Sequence, residues 1–307
     1  MPTLVIYHGP GCADGFTAAW ACWLKFGDEA EYVPAQYGDD PPDVTGKDVL
    51  IVDFSYPRDV LLRMHEQAAS LRVLDHHRTA AAELGGLWFA TFDMARSGAG
   101  LAWDELHDEE RPMLVNYVED RDLWRWVLQD SKAVNAFVAT VEHDFYAWNA
   151  LADMVDNGDA AGPGHAALCV VEQHVESRKH HVRICKIVGY EVPVINCTFA
   201  TSELVGALAE EHPFALGWFE RGDGKIVYSL RSRGDFDVSE IACLYGGGGH
   251  RNAAGFTADR LVHWDATKGG EYMDWRWLTD LPAHHTRLLI EIDGRSFECI
   301  VFEKEDE

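Results

Sequence analysis

The chain has 307 residues, with 51 Asp and Glu against 26 Lys and Arg and a formal net charge of −25. Its length exceeds what one compact core holds, so two domains are expected. So acidic a surface is ill suited to tracking long DNA or RNA, whose backbones demand Lys and Arg; it favours a small substrate, or one whose charge is met by bound metal.

Residues 3–8 (TLVIYH) read as a buried strand, followed by a glycine-rich loop and an Ala- and Trp-rich helix over 16–26. A second strand is expected over 31–37, a Gly-Asp-Asp-Pro-Pro loop over 38–42 and a strand over 49–53. A helix then runs from Pro57 to Ser70 with Val60, Leu61, Met64 and Ala68 on one face. The apolar run 71–74 is another buried strand, and 87–92 a weaker one. Strand and helix alternating in this way predict a doubly wound α/β fold, a parallel sheet with helices on both faces. From Ser97 the pattern turns helical, over 98–107, 113–124, 132–141 and 146–156.

Residues 157–164 (NGDAAGPG) read as a linker and 166–186 as one long helix leading to a smaller α/β domain. There, strands over 192–197 and 215–220 flank a helix over 202–211. Asp223-Gly224 makes a hairpin turn into a strand over 225–231, and a short helix over 238–245 runs into four glycines. Past Asp259 a helix and a β-hairpin (288–292 and 297–302) are expected. The domain bounds that follow are 1–160, a linker helix over 161–190, 191–260, and an extension over 261–307, the last a candidate for homodimer contact.

Seven cysteines, an odd number with no CxxC pair, argue for buried thiols in a reducing compartment. Neither a basic-then-apolar leader nor an apolar run of the roughly 18 residues a membrane helix needs is present. A cytoplasmic protein with no membrane partner is therefore expected.

Three apolar runs end in metal-competent side chains: 4–7 in His8, 49–52 in Asp53, and 71–74 in Asp75-His76-His77. Parallel strands would gather those ends along one sheet edge. His8, Cys12 and Asp14 form either a metal-binding loop or a glycine-rich turn with a capping Asp. Asp53 alone reads as a cap or loop residue; between two metal clusters it would bridge them, as a two-metal centre requires. In Glu119-Asp120-Arg121-Asp122 the acids either pair on the surface or send one carboxylate, Asp120, inward, oriented by Arg121 or Asp122. Gly246 to Gly249 and His250 form either a flexible loop or a row of backbone N–H groups facing a phosphate, with Arg231 and Ser232 nearby as anion-binding groups. His180-His181 and His284-His285 follow no strand and read as solvated.

These residues resemble the DHH phosphoesterases, whose naming motif is Asp75-His76-His77 here. Gly246 to His250 with Ala253-Ala254-Gly255 is similar to the signature of their accessory domain, DHHA1. The resemblance covers about Leu4 to Asp259 and lies nearest the two-domain nanoRNase and oligoribonuclease branch. It implies a metal-dependent phosphodiesterase releasing nucleoside monophosphates from an end of short oligonucleotides or dinucleotides. The alternatives are a phosphomonoesterase on pAp, a cyclic or linear dinucleotide phosphodiesterase, and, in another class, a non-catalytic nucleotide sensor.

The resemblance also implies two divalent cations, Mn2+ foremost, with Mg2+, Co2+ or Zn2+ as substitutes. One would be held by His8, Asp53 and Cys12, the other by Asp14, Asp53, His76 and Asp120. Asp75 would hold the ring of His76, His77 would face substrate, and His77, Asp75 and Asp53 would be the catalytic set. Arg231, Ser232, Gly247, Gly248, Gly249 and His250 would hold the terminal phosphate and sugar. Cys12 stands where the family pattern has Asp, and a softer thiolate moves that position toward Zn2+ or Fe2+.

Overall fold

The computed structural model describes residues 2–262 in full and residues 285–292 and 295–302 as backbone strands. The chain divides into two units, Met1–Ser177 and Arg178–Glu307. The first opens with β1 (Thr3–His8), α1 (Ala13–Phe26), β2 (Glu31–Ala35), β3 (Asp48–Val52), α2 (Arg58–Gln67), β4 (Ser70–Asp75), α3 (Arg78–Leu84) and β5 (Ala90–Phe92). Five helices follow: α4 (Gly98–Leu106), α5 (Met113–Asp122), α6 (Ser131–Val138), α7 (Phe145–Asp156) and α8 (Ala161–Arg178).

The five strands form one parallel sheet in the order β2-β1-β3-β4-β5. Alternate side chains leave opposite faces. Val5, Leu50, Val52 and Leu74 pack under α1, α4, α5, α6 and α7. Leu4, Ile6, Val49, Ile51, Leu71 and Val73 pack under α2 and α3. Both faces are thus buried, which is why these strands read as continuous apolar runs. The winding reverses at β1, since β2 and β3 lie on its two sides. The crevice outside the carboxyl ends at such a reversal is where open α/β sheets take ligands.

The expected helix over 166–186 is corrected. α8 ends at Arg178, and Arg183–Ile187 forms β6, paired antiparallel with β7 (Tyr190–Asn196). The turn between them carries Val188 at φ 48° and Gly189 at φ 80°. Two successive positive φ values match the twist of a two-residue hairpin, and that pairing outweighs the helical spacing read upstream.

The second unit continues with α9 (Thr201–Leu208), β8 (Phe214–Glu220), β9 (Ile226–Ser232), α10 (Val238–Leu244), β10 (Gly248–His250) and β11 (Ala253–Ala258). Its six-stranded sheet has the order β10-β11-β9-β8-β7-β6. Every neighbouring pair is antiparallel except β7 and β8. Phe214, Tyr228, Leu230, Val238, Ile241 and Phe256 form its core. The expected C-terminal hairpin is present as β12 (His285–Ile292) and β13 (Arg295–Phe302), paired antiparallel. The helix expected before it lies outside the described residues. Among the described residues no helix is long and apolar enough to cross a membrane.

Trp148 of α7 is fully buried in the helical face of the first unit. It meets Phe16 edge-on at 5.0 Å, and its Nε1 donates to Thr17 Oγ1 at 3.1 Å. Trp148→Ala therefore removes a core ring and the N–H that Thr17 Oγ1 accepts, while that hydroxyl keeps its bond to Ala13 O. We expect it to lower the unfolding free energy by about 3–5 kcal/mol in denaturant titration. A change below about 1 kcal/mol would contradict this packing.

Candidate metal centre

Each group at the carboxyl edge of the first sheet is placed by a local backbone feature. α1 is capped by Cys12, whose Sγ accepts the Gly15 N–H at 3.4 Å. A Cβ on Gly15 would lie 2.1 Å from His8 O, so only glycine lets α1 start this close to β1. Asp14, in the first turn, is buried and accepts the N–H groups of Gly98 (2.7 Å) and Ala99 (3.1 Å). It thus sits at the amino end of α4, where unpaired N–H groups favour an anion. Asp53 follows β3 in the left-handed conformation, φ 55°, uncommon outside glycine and best tolerated by Asp and Asn. A Cβ on Gly98 would lie 2.2 Å from Asp53 Cβ, so a glycine is required there as well.

The two oxygens of Asp53 face different neighbours. Oδ1 is 2.9 Å from His76 Nε2, which is also 3.5 Å from Asp14 Oδ2 and 3.5 Å from Asp122 Oδ2. Oδ2 is 3.5 Å from His8 Nδ1 and accepts the Cys12 thiol at 3.6 Å. The ligand atoms of His8, Cys12 and Asp53 lie within 4.8 Å of one another, and so do those of Asp14, Asp53 and His76. Asp53 belongs to both sets.

The charges in this pocket do not balance among themselves. Burial, then the charges of Asp53 and Asp122, push Asp14 well above the usual carboxylate range. Burial also raises Asp122, and burial with Asp53 and Asp14 raises the Cys12 thiol well above its usual value. For Asp53, burial acts in the same sense, but His76 and His8 outweigh it and hold the carboxyl well below its usual range. Burial disfavours the His76 imidazolium, yet Asp122, Asp53 and Asp14 together keep it well above its ordinary value. Asp122 Oδ2 is buried with no hydrogen-bond partner. Carboxylate, imidazole and thiol donors converging on an excess of negative charge fit divalent cations.

Two expected roles are corrected by the geometry. Asp75 does not hold the ring of His76. Its Oδ1 lies 2.7 Å from His77 Nδ1 and accepts the backbone N–H groups of His76 (2.7 Å) and His77 (3.2 Å), while Oδ2 accepts Ser55 Oγ at 2.8 Å. Asp120 does not reach the cluster. Its carboxylate accepts the N–H groups of Val127 (3.0 Å) and Leu128 (3.3 Å) and the Ser131 hydroxyl (2.5 Å), fastening the loop after α5. Positions two apart on a helix point roughly 200° apart, so only one of the pair can face the sheet edge, and it is Asp122.

Glu119 was not singled out by sequence reasoning. It accepts Ser97 N–H at 3.0 Å and Arg111 at 3.1 Å through Oε2, and Arg125 at 3.1 Å through Oε1. It therefore braces the start of α4, whose next two amides hold Asp14. No spacing rule separates it from a surface ion pair.

In the second unit, Arg231 donates to Ser202 Oγ at 2.6 Å and to Leu230 O at 2.8 Å. Ser232 is buried; its hydroxyl donates to Phe236 O at 2.7 Å and accepts Asn252 Nδ2 at 3.0 Å, so it latches a loop rather than facing outward. The four glycines are not a flexible loop. Gly246 and Gly247 close α10 by donating to Cys243 O and Ala242 O, at 3.0 and 2.9 Å. Gly248, Gly249 and His250 form β10, an edge strand of its sheet. A Cβ on Gly247 would lie 2.1 Å from Gly255 O, so close backbone approach demands this glycine.

Fold and site together define a two-unit α/β protein with a buried carboxylate, imidazole and thiol cluster at the reversal point of a parallel sheet. The DHHA1 domain family matches residues 200–266, within the second unit, which bears out the DHHA1 part of the resemblance. An uncharacterized protein of Acanthamoeba polyphaga mimivirus is 27% identical over 336 aligned positions, covering 99% of this chain and 77% of its own. An exopolyphosphatase-related protein from Bacteroides fragilis matches over 84% of this chain and 87% of its own, with 13% identity and a TM-score of 0.49. The pGpG-specific phosphodiesterase PggH from Vibrio cholerae matches over 84% and 93%, with 13% identity and a TM-score of 0.46.

Two measurements follow. Asp122→Asn should weaken Mn2+ binding at least about tenfold by calorimetry while stability changes little. Asp120→Asn should instead lower stability by about 1–3 kcal/mol with Mn2+ affinity nearly unchanged; the opposite pattern would contradict the geometry. Because burial and neighbouring charge raise Asp14, Asp122, Cys12 and His76 above their ordinary values, cation binding is expected to be coupled to proton release. Affinity is therefore expected to rise with pH, with net proton release between buffers of different ionisation enthalpy. An affinity independent of pH would oppose this.

Proposed function

We propose that the chain is a metal-dependent phosphoesterase that hydrolyses short oligonucleotides or dinucleotides from an end and releases nucleoside monophosphates. The observation that carries this reading is the division of the Asp53 carboxylate between two donor sets. His8, Cys12 and Asp53 would hold one cation, and Asp14, Asp53, His76 and Asp122 the other, with Mn2+ the foremost candidate. Cations bound there would lower the pKa of a water toward about 7 and offset charge on the phosphoryl oxygens.

The chain's own groups handle the rest. Burial works against an ionised Asp75, but His77 and the Ser55 hydroxyl hold its carboxyl below the usual range, so it stays anionic. That anion orients the His77 ring through Nδ1. His77 Nε2 is the atom proposed to protonate the leaving oxygen. Glu119 and the amino end of α4 keep Asp14 aimed at the centre. In the DHHA1 unit, Arg231, His250 and the edge strand formed by the glycines are proposed to receive the terminal phosphate and sugar, with Ser232 supporting them from within. The net charge of −25 supports a short substrate over a long nucleic acid.

Chromatography of products from pAp, pApA and a longer RNA oligomer tests the substrate class. Cleavage of pApA to AMP faster than the oligomer is expected, and release of phosphate from pAp alone would replace this reading with a phosphomonoesterase. Asp53→Ala should lower hydrolysis to background, because both cations lose a ligand. Near wild-type turnover in that variant would overturn the two-cation mechanism.

A further inference from the structure

Tyr37 lies two residues beyond β2 and is 55% exposed. Single exposed aromatic rings are ordinary on protein surfaces, but this one is built into a support. It meets Phe54 at 5.0 Å and touches His8 and His77 edge-on, each at 5.9 Å. Phe54 is fully buried, stacks on His8 at 6.1 Å and meets the buried Tyr56 edge-on at 4.8 Å. Three rings thus run from the core of the first unit to its surface and end in a largely open tyrosine. The two imidazoles that Tyr37 touches are the one paired with Asp53 and the one oriented by Asp75.

A ring in this position discriminates between substrate classes. The face of an aromatic ring carries negative partial charge and repels the anionic oxygens of an inorganic phosphate chain. The same face stacks with a nucleobase of any sequence. We infer that Tyr37 is the platform for the base that adjoins the scissile phosphate, so that the centre acts on nucleotides rather than on inorganic polyphosphate. This rests on the phosphoesterase reading and adds to it a specificity-determining residue in the first unit. The ring acts through its face, and the phenolic hydroxyl is dispensable.

The test uses the full, Mn2+-loaded chain and its Tyr37→Ala and Tyr37→Phe variants. For pApA, Tyr37→Ala should raise KM about ten- to a hundredfold with a smaller change in kcat. Tyr37→Phe should behave as wild type. In equilibrium binding, Tyr37→Ala should weaken AMP by the same factor and leave inorganic phosphate and Mn2+ affinities unchanged. Equal loss for AMP and phosphate would overturn the platform and reveal a merely structural ring. Equal damage by Tyr37→Phe would also overturn it, since the hydroxyl would then be the active group. If wild type hydrolyses neither pApA nor inorganic tripolyphosphate, the phosphoesterase reading falls, and the AMP-to-phosphate ratio still decides the platform.

Discussion

The structure depends on one carboxylate held where two sets of ligand atoms meet. Asp53 is forced into a left-handed backbone conformation at the end of β3, against the amino end of α4, and Gly98 makes room for it. A buried acid surrounded by Asp14 and Asp122 is unfavourable in a medium of low polarity unless opposite charge accompanies it. His8 and His76 supply part of that charge, and divalent cations are suited to supply the remainder. The same arrangement that burdens the fold is what suits the site to cations, since a bound divalent ion would offset the buried acids.

The supporting parts are spread over the first unit and act in series. Glu119, flanked by Arg111 and Arg125, fixes Ser97 and the start of α4. The next two amides of α4 fix Asp14. Asp120, although it never meets the cluster, fastens the loop that follows Asp122. Ser55 and Asp75 together set the plane of His77. With this many internal constraints, the donor atoms are held in position by the protein itself.

Much of this was legible in the sequence. His8, Asp53 and His76 were found because fully buried parallel strands leave apolar runs, and each run ends in a residue that no core would keep. The doubly wound fold followed from the same alternation. The choice between Asp120 and Asp122 was not legible, because the rotation of α5 about its axis is set by packing in the helical layer and not by local spacing. β6 was hidden because its residues fit a helical period as well as a strand, and only its hairpin partner decides. The glycine run read as either a flexible loop or a row of N–H groups facing a phosphate, and neither reading shows that Gly247 is required by the close approach of Gly255 across the sheet. Tyr37 gave no signal at all, since a tyrosine after a weak edge strand has meaning only beside the rings that support it.

Whether Asp53 joins two cation sites is decided by a crystal structure of the Mn2+-soaked protein with the ions located by anomalous scattering. Two peaks are expected, one at Asp53 Oδ2 with His8 and Cys12, the other at Asp53 Oδ1 with Asp14, His76 and Asp122. A single peak, or peaks that bypass Asp53, would contradict this.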